Sequence, residues 1–125
     1  MNTQIKKFTD LEVWKEAHNL TLQIYKITKN FPKEEQYGLT SQIRRAAISV
    51  ESCIAEGFSR FHYKDRAKFY YNSRGSLSEV ETQLRIAKDL SFIKEKEFFE
   101  LLPNIEKVGI ILGGLIRATE RLSAS

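Results

Sequence analysis

This chain of 125 residues has few of the residues that build disulfides or metal sites. It contains one cysteine, Cys53, and two histidines, His18 and His62. A single cysteine excludes an intramolecular disulfide framework, and zinc sites need clustered cysteine and histidine ligands. The Glu-x-x-His pairs of di-iron helical bundles are absent as well. We therefore expect neither a metal nor another cofactor.

Long apolar runs are also missing. No stretch reaches the roughly 18 apolar residues of a membrane span, and residues 1–15 lack the apolar centre of a signal peptide. Apolar residues make up 42% of the chain and charged residues 29%, which excludes a disordered, tail-like protein. These features predict one soluble, cytoplasmic domain over residues 1–125 that does not contact a membrane.

Apolar residues do recur at alternating steps of three and four, the period of an amphipathic α-helix. The clearest such stripe consists of Phe98, Leu101, Ile105, Val108, Leu112, Leu115, Thr119 and Leu122. The pattern predicts four helices over about 10–30, 40–58, 62–90 and 95–122. Because short loops join them, the predicted fold is all-α, an antiparallel up-down-up-down four-helix bundle.

Several residues inside these helices carry more detailed expectations. Pro103 lies in the last helix, and since interior proline disfavours a helix, we expect the regular helix to begin only near Leu102. Gly57 lies near the end of the second helix, where a C-terminal glycine is favoured. In the third helix Phe69 is predicted on the core stripe. Three small residues there let a neighbouring backbone approach closely: Ser73, Gly75 and Ser76.

The centre of the fourth helix is apolar on more than one side. Ile110, Ile111 and Ile116 lie off its stripe, and Trp14 and Tyr25 lie off the stripe of the first helix. Because a helix in a small bundle needs only one apolar stripe, this surplus predicts a subunit interface. The alternative is a fourth helix whose centre is buried on all sides within its own subunit.

Positive charge is concentrated in residues 60–74, although the whole chain has a formal net charge of only +4. Lys and Arg neutralise phosphates, and exposed aromatic rings stack on unpaired bases. The segment interleaves aromatic residues with Arg60, Lys64, Arg66, Lys68 and Arg74, against Asp65. With Arg44 and Arg45 these cations predict a surface that binds RNA or DNA. The alternatives are a solvated basic face and, for the arginine pair, ion pairs to Glu79 or Glu81.

The sequence shows no arrangement of residues that indicates catalysis. Cys53 lies between core positions of the second helix and is expected to be a buried structural cysteine. His18 is expected to be partly buried and His62 to be a solvated surface residue. We therefore predict no enzyme activity and no catalytic residues. The function predicted is that of a homo-oligomer that binds nucleic acid, and the alternative is a protein-interaction scaffold.

The segment YGLTSQIRRAAISVESCIAEGFSR (37–60) resembles the bacterial four-helix-bundle family encoded in intervening sequences of 23S rRNA genes, also called the S23 family. Arg44 and Arg45 match its Gln-Ile-Arg-Arg motif, and Glu56 and Gly57 match its Ala-Glu-Gly motif. Further motifs follow in order, so the resemblance covers about residues 8–120. It departs at Ser52 and Cys53, where an asparagine is common.

This resemblance implies an antiparallel four-helix bundle that assembles as a homopentamer without established catalytic residues. The family is similar to the accessory variability determinant of diversity-generating retroelements, a basic pentamer. That likeness implies RNA or DNA as a partner, and a reverse transcriptase or another protein as a further one.

Overall fold

The computed structural model describes residues 4–125 and contains four α-helices. Helix α1 spans Glu12–Thr28, α2 spans Leu39–Phe58, α3 spans Tyr63–Asp89 and α4 spans Glu95–Ala124. Short 3₁₀ helices precede α1 and α2, and the described residues include no strand. The predicted bounds differ from the observed ones by at most two residues. Residues 1–3, part of the segment expected to hold no signal peptide, lie outside the described residues.

Each helix packs on its neighbours in sequence, and α1 also packs on α4, which closes the bundle. The helix directions alternate. Along α2, for example, Ser49 Oγ lies 2.8 Å from Ser76 Oγ of α3, and the carbonyl of Val50 accepts a hydrogen bond from the hydroxyl of Ser73. The predicted all-α antiparallel four-helix bundle is confirmed. Within residues 4–125, no helix has the length and apolarity needed to cross a bilayer.

The hydrophobic core takes one stripe of residues from each helix, and in α4 that stripe differs from the predicted one. Ile116 is only 2% exposed, whereas Leu115 is partly buried. Steps of three and four average 3.5 residues, but a straight helix has 3.6 residues per turn. The apolar stripe therefore needs an additional step of four, which runs from Leu112 to Ile116. The prediction that Ile116 lies at a subunit interface is wrong, because this side chain belongs to the core of its own subunit.

The fourth helix runs without a break from Glu95 through Pro103, so the prediction that it becomes regular only near Leu102 is wrong. Interior proline costs a helix about 3 kcal/mol because it removes a hydrogen bond and its ring crowds the preceding turn. Here the ring lies on the exposed side of α4. The turns before it are held by the buried side chains of Phe98 and Leu101, whose burial opposes that cost.

Helices α2 and α3 approach closely at Gly57. A Cβ atom at this position would lie 2.7 Å from Cε1 of Tyr70 and 3.1 Å from the carbonyl oxygen of Arg66. Gly57 has no positive φ, so packing against α3, and not a left-handed helix terminus, explains the glycine. Ser73 is buried at the same contact, as predicted, whereas Gly75 is exposed, with open space around a Cβ.

We predict opposite effects for two glycine-to-alanine substitutions in this pair of helices. Gly57→Ala should lower the free energy of unfolding by about 1–3 kcal/mol, because the new methyl group overlaps the buried ring of Tyr70. Gly75→Ala should raise it by up to about 1 kcal/mol, because alanine favours the helix and meets no neighbour. Urea unfolding followed by circular dichroism measures both. Equal effects of the two substitutions would show that the contact at Gly57 is not tight.

Candidate nucleic-acid interface

The connection between α2 and α3 is fixed by the side chain of Arg66. Its Nε atom donates a hydrogen bond to the carbonyl of Arg60 at 2.7 Å. Its guanidinium lies over the rings of Phe58 and Tyr63, 5.4 Å from the centre of each. Arg66 therefore holds the loop on the first turn of α3, and this residue is only partly exposed.

The guanidinium of Arg60 is likewise engaged in contacts within its own part of the structure. Its guanidinium forms an ion pair with Glu56 at 2.9 Å and lies 4.6 Å from the ring centre of Phe69. The prediction that Phe69 lies on the core stripe is wrong, since this ring is only partly buried beneath Arg60 while Tyr70 occupies the core. The reason is the close approach of α2, because Gly57 leaves a space that the ring of Tyr70 fills, with Cε1 only 2.7 Å from where a Cβ of residue 57 would lie.

Three cations of the segment 60–74 are exposed and free of carboxylate partners in the described residues. Lys64, Lys68 and Arg74 follow one side of α3, and none takes part in an ion pair among the described residues. The guanidinium of Arg74 lies 4.8 Å from the ring centre of Tyr71, which lies on the same side of the helix. This row can therefore approach phosphates without first breaking an ion pair.

The row borders a groove of about 470 Å³ between the start of α3 and the end of α4. Lys64, Lys68, Tyr71 and Glu120 contribute to its lining. The hydroxyl of Tyr71 donates a hydrogen bond of 2.7 Å to Glu120 Oε2, and this bond raises the pKa of Tyr71. The Tyr71–Glu120 contact thereby fixes the position of α4 beside the cations of α3.

Helix α4 brings two further exposed cations to this end of the bundle, Arg117 and Arg121. Because α3 and α4 are antiparallel and Tyr71 contacts Glu120, Arg117 lies level with Arg74. The sequence analysis missed both residues, since they lie more than 40 positions after the basic segment. The one signal in the sequence is their spacing of four residues, which places them on one face of the last helix.

The arginine pair of α2 lies elsewhere. Arg44 donates a hydrogen bond of 2.8 Å from Nε to Thr28 Oγ1, and it covers the ring of Tyr25. This cation holds the C-terminal end of α1, where the helix dipole favours positive charge. Arg45 is exposed beside Glu79 in a cleft between α2 and α3, about 22 Å along α3 from Lys64. The structure therefore does not bring the pair together with residues 60–74.

The alternative role predicted for the arginine pair is not observed. None of the ion pairs in residues 4–125 joins Arg44 or Arg45 to Glu79 or Glu81. Glu81 instead pairs with Arg85 of its own helix at 2.8 Å. Arg45 remains an exposed cation on a different part of the surface.

Aromatic residues at the α2–α3 connection differ widely in exposure. Phe61 is 87% exposed, and its ring touches only the edge of the His62 ring, with 5.1 Å between the ring centres. Tyr63 is exposed on one side and lies against Arg66 on the other. His62 is exposed, as predicted.

The residues predicted for a subunit interface divide between two surfaces. Ile110 is 74% exposed on α4, and Ile111 beside it packs partly against the core. On α1, Trp14 stacks on His18, which pairs with Glu51 of α2 at 3.0 Å. Tyr25 lies farther along α1 beneath an arginine of α2. The α4 surface and the α1–α2 surface are therefore separate.

The remaining candidate residues for a metal or catalytic site do not lie close together. In the part of the chain that the structure describes, no three His, Cys, Asp or Glu side chains meet as a metal site. Cys53 is only partly buried, and its Sγ lies 3.7 Å from the hydroxyl of Ser49. It is a neighbour of the α2–α3 contact and not of the basic groove.

The family model of the 23S rRNA-intervening sequence proteins matches residues 9–114. The chain belongs to this family. A protein of unknown function from the S23 ribosomal protein family of Bacteroides thetaiotaomicron has a similar crystal structure, with a TM-score of 0.74 and 17% sequence identity. The match covers 83% of this chain and 97% of that chain, and at this identity it shows a shared fold alone. No curated protein matches the sequence.

Membership of the intervening-sequence protein family confirms the resemblance that the sequence motifs suggested. The structure gives two of those motif residues packing roles. Arg44 joins α2 to the end of α1, and Gly57 accommodates Tyr70. The relation to retroelement accessory proteins stays a prediction.

The Tyr71–Glu120 hydrogen bond leads to a prediction about tyrosine ionisation. The raised pKa of Tyr71 reflects, first, that hydrogen bond, which deprotonation would remove, and, among further causes, repulsion between the phenolate and the carboxylate. Glu120→Gln should therefore lower the pKa of Tyr71 toward its ordinary value. Titration of the tyrosine ring carbons by NMR in both proteins measures this change. An unchanged Tyr71 curve would mean that the hydrogen bond is not formed in solution.

Proposed function

We propose that this intervening-sequence protein is a non-enzymatic homo-oligomer that binds nucleic acid through the groove between α3 and α4. The observation that carries the proposal is the row of Lys64, Lys68 and Arg74, all exposed and without carboxylate partners in the described residues. Such cations release counterions when they meet phosphates, which favours binding at low salt. RNA and DNA both supply this chemistry.

The charge balance around the groove supports the same proposal. Lys64 and Lys68 line it together with Asp65 and Glu120, and the excess of positive charge comes from Arg74, Arg117 and Arg121, which lie at the same end of the bundle outside the lining. This local excess of three accounts for most of the formal net charge of +4. Charge gathered on one side of a protein attracts a polyanion more strongly than the same charge dispersed.

Two separate apolar surfaces favour assembly into a ring, and we propose a homopentamer. A closed ring needs a heterologous contact, in which one face of each subunit meets a different face of the next. Ile110 and the exposed Phe99 offer one such surface on α4. Leu22 and Ile48 offer the other on the α1–α2 side. A ring would repeat the basic groove in each subunit and raise avidity without any new contact.

A charge-neutralising variant tests the groove directly. Lys64→Gln, Lys68→Gln and Arg74→Gln together should weaken binding to single-stranded RNA or DNA by about 10- to 100-fold, at roughly 0.5–1 kcal/mol per lost phosphate contact. The dependence of log Kd on log salt should fall by about 2–3, because each contact contributes 0.7–0.9 to the slope. Fluorescence anisotropy at several salt concentrations measures both quantities.

The matched control removes three exposed lysines at the opposite end of the bundle, Lys29, Lys33 and Lys96, by substitution with glutamine. Both variants change the net charge from +4 to +1, so only the position of the charge differs. Equal losses in the two variants would refute the groove and leave only general electrostatic attraction. Absence of binding by the unchanged protein at low salt would refute nucleic-acid binding altogether.

Sedimentation equilibrium tests the proposed assembly. We expect a mass about five times the 14.5 kDa of one chain. Ile110→Glu should reduce this mass, because burying the new carboxylate in an apolar contact is costly. Ile86→Glu, at an exposed isoleucine of α3 outside both surfaces, should not change it. A mass near 14.5 kDa for the unchanged protein at micromolar concentration would contradict the proposal.

The exposed apolar residues of α4 also favour a second candidate function, a scaffold for another protein such as a reverse transcriptase. Phe99 and Ile110 lie on the outer side of α4, nearer its N-terminal end than the basic groove. A partner that remains bound after nuclease treatment and is lost with Ile110→Glu would support the scaffold. A partner released by nuclease would instead support nucleic-acid binding.

A further inference from the structure

The aromatic ring of Phe61 lies exposed in the loop that leads into α3. It is 87% exposed, although phenylalanine is among the residue types most often buried. Its loop leads directly into the first turn of α3, which carries Lys64, and Lys68 follows one turn later. An exposed apolar ring therefore comes directly before the row of free cations in the chain, at the same end of the bundle.

The loop that carries Phe61 is held on both sides. The Arg60 amide donates to the carbonyl of Gly57 at 3.1 Å, and the Ser59 hydroxyl donates to the carbonyl of Glu56 at 2.7 Å. Arg66 binds the carbonyl of Arg60 from the α3 side. The backbone before Phe61 is thus anchored while the ring itself is left uncovered. A ring presented in this way loses little conformational freedom when it meets a flat partner.

We propose that the groove binds single-stranded nucleic acid and that Phe61 stacks on an unpaired base. The inference rests on the proposed function and narrows its ligand. The flat faces of bases are accessible in a single strand, whereas in a duplex they are covered by neighbouring base pairs. Phosphates that follow the stacked base then reach Lys64, Lys68 and Arg74, which extend for about 15 Å along α3. At a stacked spacing of about 3.4 Å that length accommodates roughly five nucleotides.

The stacking and charge contacts of the proposed site do not distinguish one base from another, or RNA from DNA. Stacking tolerates any base, because every base has a π face. The cations of the groove meet phosphates, which RNA and DNA share, so single strands of both are candidate ligands. The experiment therefore uses both, as oligo(U) and oligo(dT) of about ten nucleotides. Hairpin duplexes of RNA and DNA with the same number of phosphates, closed by a non-nucleotide linker so that no base is unpaired, serve as the paired counterparts.

The decisive variant is Phe61→Leu, which keeps an apolar side chain and changes no charge but removes the aromatic face. Affinity for the single strands should fall by about 5- to 150-fold, the range for losing one base–aromatic stack. Affinity for the hairpins and the salt dependence of binding should remain the same. Phe61→Trp should restore single-strand affinity. Tyr37→Leu, at a 91% exposed aromatic residue in the α1–α2 connection, is the matched control and should have no effect.

The outcomes separate this inference from the proposed function. If the unchanged protein binds none of the four probes at low salt, nucleic-acid binding itself fails. If it binds hairpins and single strands equally in a salt-dependent way, or if Phe61→Leu weakens both alike, binding stands and the stacking inference is overturned. Preference for single strands that is lost in Phe61→Leu and regained in Phe61→Trp supports it. Preference for oligo(U) or oligo(dT) within that result identifies RNA or DNA as the ligand.

Discussion

The ring of Tyr70 lies in the space that a side chain at residue 57 would occupy, and this contact fixes the rotation of α3 about its own axis. Each residue of a helix is turned by about 100° from the one before it. With Tyr70 turned inward, Phe69 meets Arg60 on one side and Tyr71 meets Glu120 on the other. The row of free cations faces outward as a consequence.

The same end of the bundle divides its cations into two groups by their chemistry. Arg60 and Arg66 lie over aromatic rings and donate to oxygen atoms, which suits a planar guanidinium with several donors. Lys64 and Lys68 make no such contacts in the described residues and keep their ammonium groups in water. The arginines thus build the loop that displays Phe61, and the lysines supply charge that is free to meet an anion. A count of basic residues in the sequence does not distinguish the arginines that hold the loop from the lysines that are free to bind an anion.

The helices and their order follow from local patterns, which is why the sequence predicts them closely. Which apolar residue of a neighbouring pair is buried depends on the exact phase of a helix, as Leu115 and Ile116 show, or on the space that a neighbouring helix leaves, as Phe69 and Tyr70 show beside Gly57. A strict alternation of three and four accumulates an error of about 20° per seven residues. The prediction that α4 becomes regular only after Pro103 is wrong for a different reason. The cost of proline is local, whereas the packing that offsets it comes from other helices.

The sequence predicts only part of the candidate site, because it shows which residues are near one another along the chain but not which helices pack together. Its cations on α3 are close together in sequence and were identified from that segment. Arg117 and Arg121 join them only because α4 returns antiparallel to α3, and no local pattern reveals that neighbourhood. Arg44 was assigned to the site by its charge, but its contacts with Thr28 and Tyr25 belong to the α1–α2 packing.

Cyclic symmetry gives the proposed ring a property that one subunit lacks. Every subunit of such a ring is related to the next by rotation alone, so equivalent ends of all the bundles lie at the same height along the symmetry axis. The groove lies about 15 Å along α4 from Ile110, which leaves it clear of a contact centred on that residue. Five chains of +4 carry a formal charge of +20, and the most basic part of each lies at equal height. A strand bound in one groove is then held near the next, so weak sites of roughly five nucleotides act together on a longer molecule.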